Sequence, residues 1–203
     1  MAAALYIAGT GSYAAEIASW AATAGRQPAG LIELIDPERV GTTIHGLAVI
    51  DRSQPPPDAE ALIGIGGDRA ATWGALAEAG WNPAPALVHP DACLAEGVEI
   101  AAGATVGPMA VVGAASAIGP QALLSRGALV GHHVTVGEFA TVGPGANVGG
   151  NTELAPSAFL GIGCVVSNGL SVGAHAIVAA GAVAIGDVPD ETRVQGVPAT
   201  PYG

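Results

Sequence analysis

A repeat of aliphatic side chains with a period of six residues runs through nearly half of the chain. Stepping six residues at a time from Val88 to Val178 meets Val, Leu or Ile at every one of the sixteen positions. The residue two places before each of these anchors is mostly small, and the residue after it is often Gly. A period of six matches neither the 3.6-residue turn of a helix nor the alternation of a simple strand.

The period matches a coil with three flat sides of six residues each, stacked on its neighbours so that aliphatic side chains fill the interior. We therefore predict an all-β solenoid, a parallel β-helix, over residues 86–203. The glycines that follow the anchors are expected to turn its corners, and the register is expected to fade after Val178.

Residues 1–85 have a different pattern, in which short apolar strands alternate with helical stretches. Strands are predicted at 5–8, 30–35 and 61–65 and helices at 14–24 and 69–79, and the proline-containing stretch 82–85 is expected to link this part to the solenoid. Such alternation predicts a small Rossmann-like α/β domain with a parallel sheet.

The first predicted strand leads into a glycine-rich turn with Gly9, Gly11 and Ala14 before a helix. Glycines in this context let backbone amides approach a phosphate at a helix N-terminus. Glu33, near the end of the second strand, could hold a ribose hydroxyl. Because the domain is too short for a complete dinucleotide fold, we favour a nucleotide-linked sugar over NAD, with a purely structural turn as the alternative.

Charge and composition exclude several classes of function. The net charge is −11, with six Arg and no Lys, which argues against a nucleic-acid partner. No apolar run reaches the roughly 18 residues of a membrane span, and we see no basic signal-peptide region. Cys93 and Cys164 lack metal-ligand spacing, so we expect two reduced thiols, no metal and a cytoplasmic location.

Two further motifs are His89-Pro90 at the start of the repeat and Val194-Gln195-Gly196-Val197-Pro198-Ala199 behind it. In this order the whole chain resembles the sugar O- and N-acetyltransferases of the sialic acid, bacillosamine and perosamine type, within the hexapeptide-repeat acyltransferases. The resemblance implies left-handed coils and a homotrimer. It also implies that the front domain binds a nucleotide-linked amino sugar and that acetyl-CoA lies along the prism between subunits.

The resemblance also implies site residues. In the stretch from Gly131 to Phe139, His132 matches the catalytic base and His133 stands where the family has an acidic partner. Seven residues before the base, Ser125 replaces a frequent Asn. In the front turn, Ser12 and Tyr13 occupy the last two places of a Gly-x-Gly-Gly-His pattern. The implied acetyl-CoA contacts are Thr141, Gly150, Gly161, Ile162 and Ala180, and the implied substrate contacts are Gly9, Gly11, Ser12, Tyr13 and Glu33.

The chemistry expected from this family is direct attack of a neutral amine on the acetyl thioester, with His132 as base and the Gly150 amide near the thioester oxygen. His133 is the alternative base.

O-acetylation, or a non-nucleotide acceptor, is the alternative reaction. A binding module without turnover, a metal-dependent carbonic anhydrase and an oxidoreductase using the front turn are the competing classes. This sequence lacks the pair of His ligands that a metal-dependent carbonic anhydrase of this fold requires.

Overall fold

The structure is a computed structural model that describes residues 3–202. The chain divides into two compact units, one ending at Leu87 and the other beginning at Val88. Among the described residues, neither helix is long and apolar enough to cross a membrane.

The first unit is a six-stranded sheet with two helices, which confirms the predicted small α/β fold. The strand order is β3-β4-β2-β1-β5-β6, with all neighbours parallel except β3 and β4. The elements are β1 (Leu5–Ala8), α1 (Ser12–Thr23), β2 (Gly30–Glu33), a 3-10 turn (Pro37–Arg39), β3 (Thr43–Ile44), β4 (Leu47–Asp51), β5 (Glu60–Ile63), α2 (Arg69–Glu78) and β6 (Asn82–Pro83).

Besides shifts of one or two residues at the ends of α1, β5 and α2, three details of the first unit differ from the sequence prediction. Strand β2 ends at Glu33 rather than at residue 35, because the Glu33 carboxylate accepts the next three backbone N–H groups and turns the chain. The predicted link at 82–85 instead begins with the edge strand β6, a position where proline is tolerated. Strands β3 and β4 form a hairpin that was not predicted.

The second unit is a three-sided parallel β-helix, as predicted. Face 1 consists of β7 (Leu87–Val88), β10 (Thr105–Val106), β13 (Leu123–Leu124), β16 (Thr141–Val142), β19 (Phe159–Leu160), β22 (Ile177–Val178), β24 (Arg193–Gln195) and β25 (Thr200–Pro201). Face 2 consists of β8 (Cys93–Leu94), β11 (Val111–Val112), β14 (Leu129–Val130), β17 (Asn147–Val148), β20 (Val165–Val166) and β23 (Val183–Ala184). Face 3 consists of β9 (Glu99–Ile100), β12 (Ala117–Ile118), β15 (Thr135–Val136), β18 (Glu153–Leu154) and β21 (Ser171–Val172).

Each aliphatic anchor is the second residue of one of these short strands and points into the prism. Paired residues in successive coils are 18 positions apart, as in Val106 with Leu124 and Leu124 with Val142. From Val106 onwards the anchors are buried and form one continuous core with the small residues before them. The stacking of like residues follows directly from the period of the sequence.

The corners are not turned by the glycines that follow the anchors, which corrects the sequence interpretation. Those glycines do not have positive φ; they are needed because the next coil passes close by, and a Cβ on Gly113 would lie 2.6 Å from the backbone N of His132. The left-handed residue lies three places after the anchor. Its glycine members are Gly97, Gly103, Gly127, Gly145, Gly163, Gly169 and Gly181, and its other members are Met109, Ala115, Gln121, His133, Phe139, Asn151, Ser157 and His175.

The repeat also continues beyond the predicted limit at Val178. Strand β23 extends face 2 by one more step, and β24 pairs with β22 in parallel. Asp187 and Asp190 then accept hydrogen bonds from the backbone N–H groups of Ser171 and Ala174. These side chains satisfy donors that would otherwise be left without a partner at the end of the solenoid.

Candidate active site

The two adjacent histidines lie at the corner between faces 2 and 3, two and three residues after the anchor Val130. Both side chains are exposed. The Nδ1 atoms of His132 and His133 are 3.0 Å apart, and the ring planes meet at 84°. His133 occupies the left-handed corner position with φ of 53°, and its backbone N–H donates to the carbonyl of Ala114. At this corner the two rings therefore lie edge to face, with their Nδ1 atoms within hydrogen-bond distance.

Gly150 lies directly below His132 in the next coil. A Cβ at this position would be 2.8 Å from Nε2 and 2.9 Å from Cε1 of His132. Because real Cβ atoms do not approach that closely, a side chain at position 150 would force the His132 ring to move from this place. The predicted base and one predicted acetyl-CoA contact are therefore brought together by the 18-residue register.

Asn168, one coil further on, completes this column and was missed in the sequence analysis. Its Oδ1 accepts the backbone N–H of Gly150 at 3.1 Å. This is the amide that we expected near the thioester oxygen, so in this structure the predicted donor is already bonded. The 18-residue spacing from His132 through Gly150 is the signal that could have identified Asn168.

Three of the other predicted acetyl-CoA contacts, Gly161, Ile162 and Ala180, lie at a different corner, between faces 1 and 2. Ile162 is 63% exposed, and Ala180 follows in the next coil, where the N–H of Gly181 donates to the carbonyl of Ile162. Gly161 is buried because the coils approach closely there, and Thr141 is a buried member of face 1. Within one chain, the whole of face 2 separates this corner from His132.

A pocket of about 330 Å³ lies at the carboxyl ends of β1 and β2 in the α/β unit. It brings the predicted residues Gly9, Gly11 and Glu33 together with Thr10 and Arg39, which were not predicted. The Thr10 hydroxyl donates to Glu33 Oε2 at 2.8 Å and accepts from Arg39 Nη1 at 3.1 Å. The predicted turn is thus part of a hydrogen-bonded cluster with one cation.

Glu33 uses its carboxylate to build the wall of this pocket. Its Oε1 accepts the backbone N–H groups of Leu34, Ile35 and Asp36 at 2.8–3.0 Å. Burial acts to raise the pKa of Glu33, but these bonds and the one from Thr10 outweigh it, so the pKa is lowered. In the structure Glu33 shapes the loop that follows β2, and its contact with a ribose stays a prediction.

Ser12 and Tyr13 do not line this pocket. Ser12 is the exposed first residue of α1. Tyr13 packs edge-on against Trp20, with ring centroids 6.4 Å apart, at the margin of the apolar core of the unit. Their predicted role in substrate binding therefore has no support from the pocket.

A metal centre and a nucleophilic role for Cys164 have little basis in the described residues. Between residues 3 and 202 no cluster of three or more His, Cys, Asp and Glu side chains could hold a metal ion. Burial raises the pKa of Cys164 to about 11, so this thiol stays protonated at neutral pH and is not a ready nucleophile.

Solved structures match the chain over both units. A variant of the GDP-perosamine N-acetyltransferase from Caulobacter crescentus, solved with CoA and GDP-perosamine, is 26% identical with a TM-score of 0.88 and covers 98% of this chain and 97% of its own. The acetyltransferase domain of PglB from Neisseria gonorrhoeae, solved with acetyl coenzyme A, is 29% identical with a TM-score of 0.86 and covers 98% of each chain. WeeI from Acinetobacter baumannii shares the fold at 24% identity and a TM-score of 0.88, covering 99% of this chain and all of its own.

The chain is a hexapeptide-repeat acyltransferase. No protein-family model and no curated protein sequence matches it. The expected left-handed β-helix is confirmed by these structures. In this acyltransferase, predicted site residues come together with polar groups in the stacked column of His132, Gly150 and Asn168 and in the pocket of the α/β unit, which we call the front pocket.

Proposed function

We propose that this acyltransferase moves the acetyl group of acetyl-CoA to the amino group of a nucleotide-linked sugar. The observation that carries the proposal is the His132 ring held against Gly150, in a chain that matches a GDP-perosamine N-acetyltransferase along nearly its whole length. The front pocket, with Arg39 as the cation among its lining residues, would hold the acceptor's nucleotide.

In the proposed reaction His132 acts as general base. The amine attacks the thioester carbonyl carbon, the new C–N bond forms, the proton passes to Nε2 of His132, and the C–S bond breaks to release the thiolate of CoA. An imidazole of ordinary pKa is mostly neutral at pH 7 and can accept this proton. The amide of Gly150 would stabilise the oxyanion once Asn168 releases it.

A homotrimer would complete this site. Ile162 and Ala180 are separated from His132 by face 2 within one chain, so a second copy would have to present one of the two corners to the other. The outward positions of face 2 include exposed Val111, Leu129 and Val165, whereas those of face 3 are mostly polar. An apolar outward face of this kind favours packing against another copy. The free cysteines are consistent with a cytoplasmic enzyme.

The test is release of the CoA thiol from acetyl-CoA in the presence of purified protein and a panel of nucleotide-linked sugars. The panel contains sugars linked to GDP, UDP and dTDP. Each amino sugar is paired with the sugar that carries a hydroxyl at the same carbon. We expect turnover with at least one amino sugar and a much lower rate with its hydroxyl partner. Turnover only with hydroxyl sugars would assign O-acetylation, and no acceptor-dependent release from any sugar would refute the proposal.

A further inference from the structure

We propose that His133 is a positioning residue that sets the tautomer of His132, and that the two rings together carry no more than one extra proton during turnover. This inference rests on the proposed role of His132 as base. It is carried by the 3.0 Å approach of the two Nδ1 atoms.

A hydrogen bond between two imidazole nitrogens requires one N–H and one lone pair. Only two neutral arrangements satisfy the observed pair. If His133 donates from Nδ1, the proton of neutral His132 resides on Nε2, and His132 cannot act as a base there. If His132 donates from Nδ1 to the lone pair of His133, its own Nε2 carries the lone pair. The second arrangement is the one that leaves a base at Gly150.

The second arrangement requires His133 to be neutral with its proton on Nε2. A proton added to Nδ1 of His133 would remove the acceptor and place two N–H groups against each other. When His132 takes up the proton of the substrate, the new imidazolium keeps His133 as its acceptor, and a further proton would create two adjacent cations. The pair therefore binds one proton during the reaction and rejects the second.

Among the described residues of the β-helix unit, the neighbours stacked on the pair supply no ionisable partner. The residues stacked above and below the pair in the neighbouring coils are Ala114, Ala115, Gly150 and Asn151, and none of them ionises. The outward residues of the strands on either side are Leu129 and Thr135; the ionisable group next to these is Glu153, which pairs with Thr135 across face 3. The lone pair on Nδ1 of His133, at 3.0 Å, is thus within hydrogen-bond distance of the Nδ1–H of His132.

An imidazole partner differs from a carboxylate in charge. A carboxylate at position 133 would attract the proton on His132 electrostatically and extend the protonated form to higher pH. A neutral imidazole gives orientation without that attraction. We therefore expect the native pair to keep its activity at a lower pH than a His–Asp pair on the same backbone.

The kinetic test compares His133→Gly, His133→Asn and His133→Asp. Glycine is compatible with the left-handed corner, since Gly169 occupies the same position two coils on. We expect His133→Gly to lower kcat roughly tenfold to 100-fold with little change in KM. His133→Asn should recover most of this because its Oδ1 can accept from Nδ1. His133→Asp should recover it with the acid limb of the kcat/KM profile moved up by about one pH unit or more.

The matched control is His175→Gly, which removes an exposed histidine from another left-handed corner with φ of 56°. It should leave both kcat and the pH profile unchanged. If His133→Gly behaves like this control, or if His133→Asn is no better than His133→Gly, the positioning role is refuted.

A spectroscopic test keeps the inference separate from the proposed function. Nitrogen-15 NMR of the imidazoles at pH 8 should show His132 protonated at Nδ1 and His133 protonated at Nε2. The opposite tautomers would overturn the inference even in an active enzyme. If no sugar supports turnover, the proposed function fails, while the tautomers still decide whether the pair is arranged as we infer.

Discussion

The two units place their polar side chains by different rules. In the β-helix, His132, Gly150 and Asn168 are neighbours because each is 18 residues from the next, and one spacing determines which residues share a corner. In the α/β unit, Thr10, Glu33 and Arg39 meet at separations of 23 and 29 residues that follow from no repeat. The first site is fixed by backbone stacking and the second by a network of side-chain hydrogen bonds.

This difference separates two kinds of sensitivity to mutation. A stacked site depends on the space between coils, so adding one carbon should matter as much as removing a functional group. A hydrogen-bonded pocket depends on the charge state of the residue at its centre, so its response should vary with pH. The following substitutions test that contrast, beginning with the largest expected effect.

Removing the imidazole by His132→Ala should lower turnover by on the order of 10²–10⁴-fold, because the general base is lost. The side chain is exposed, so the melting temperature should stay close to that of the native protein. Steady-state assays with acetyl-CoA and the active sugar nucleotide measure the effect, with His175→Ala as the control. Native turnover in His132→Ala would remove this residue from the mechanism.

Adding one methyl group by Gly150→Ala should displace the His132 ring, since the new Cβ would lie 2.8 Å from Nε2. A misplacement of about 1 Å can cost on the order of 100-fold in rate, so we expect a fall in kcat of roughly tenfold to 100-fold. Gly186→Ala is the matched control: it lies two coils further along the same corner, and a Cβ there has no atom within 4 Å. Equal activity in the two variants would show that ring position is not set by stacking.

Replacing the central carboxylate by Glu33→Gln should destabilise the α/β unit by about 1–3 kcal/mol at pH 7, because the charged acceptor of four hydrogen bonds is lost. The pKa of Glu33 is lowered in the folded state, so its carboxylate contributes to the free energy of unfolding. This contribution is fully present above the unfolded-state pKa of about 4.3 and is lost as the pH falls through the folded-state pKa. The difference between native protein and variant should therefore shrink in acid.

All three tryptophans, Trp20, Trp73 and Trp81, lie in this unit, so denaturant unfolding followed by tryptophan fluorescence reports on it selectively. Glu38→Gln, at an exposed glutamate nearby, is the control and should have little effect at any pH. A difference for Glu33→Gln that stays constant from pH 7 to pH 3 would argue against a charge-dependent role.

The sequence predicted the β-helix more completely than the α/β pocket for the same physical reason. With a strict period, residues 18 positions apart stack on each other in successive coils. The position 36 residues after His132, two coils on, is Asn168. The hairpin of β3 and β4 also had a sequence signal in Gly46, because a two-residue hairpin turn needs positive φ and glycine adopts it readily. In the structure His45 and Gly46 form that turn with φ of 51° and 76°. Arg39 had none, because its position depends on how Glu33 folds the loop before it, and side-chain networks of that kind are not periodic.

The smallest expected effect is that of Asn168→Ala, which distinguishes the role of the Gly150 amide from that of the Asn168 side chain. If the Gly150 amide stabilises the oxyanion, its bond to Asn168 Oδ1 must break first, and a bond of this type contributes about 1 kcal/mol net. Removing the competitor should then leave kcat unchanged or raise it up to about fivefold, which single-turnover acetyl transfer can measure. Asn168→Asp keeps an acceptor for the amide and should not show the gain. A fall of more than tenfold in Asn168→Ala would mean that the Asn168 side chain itself serves the reaction, and the corner would then contribute a third functional residue in place of the Gly150 amide.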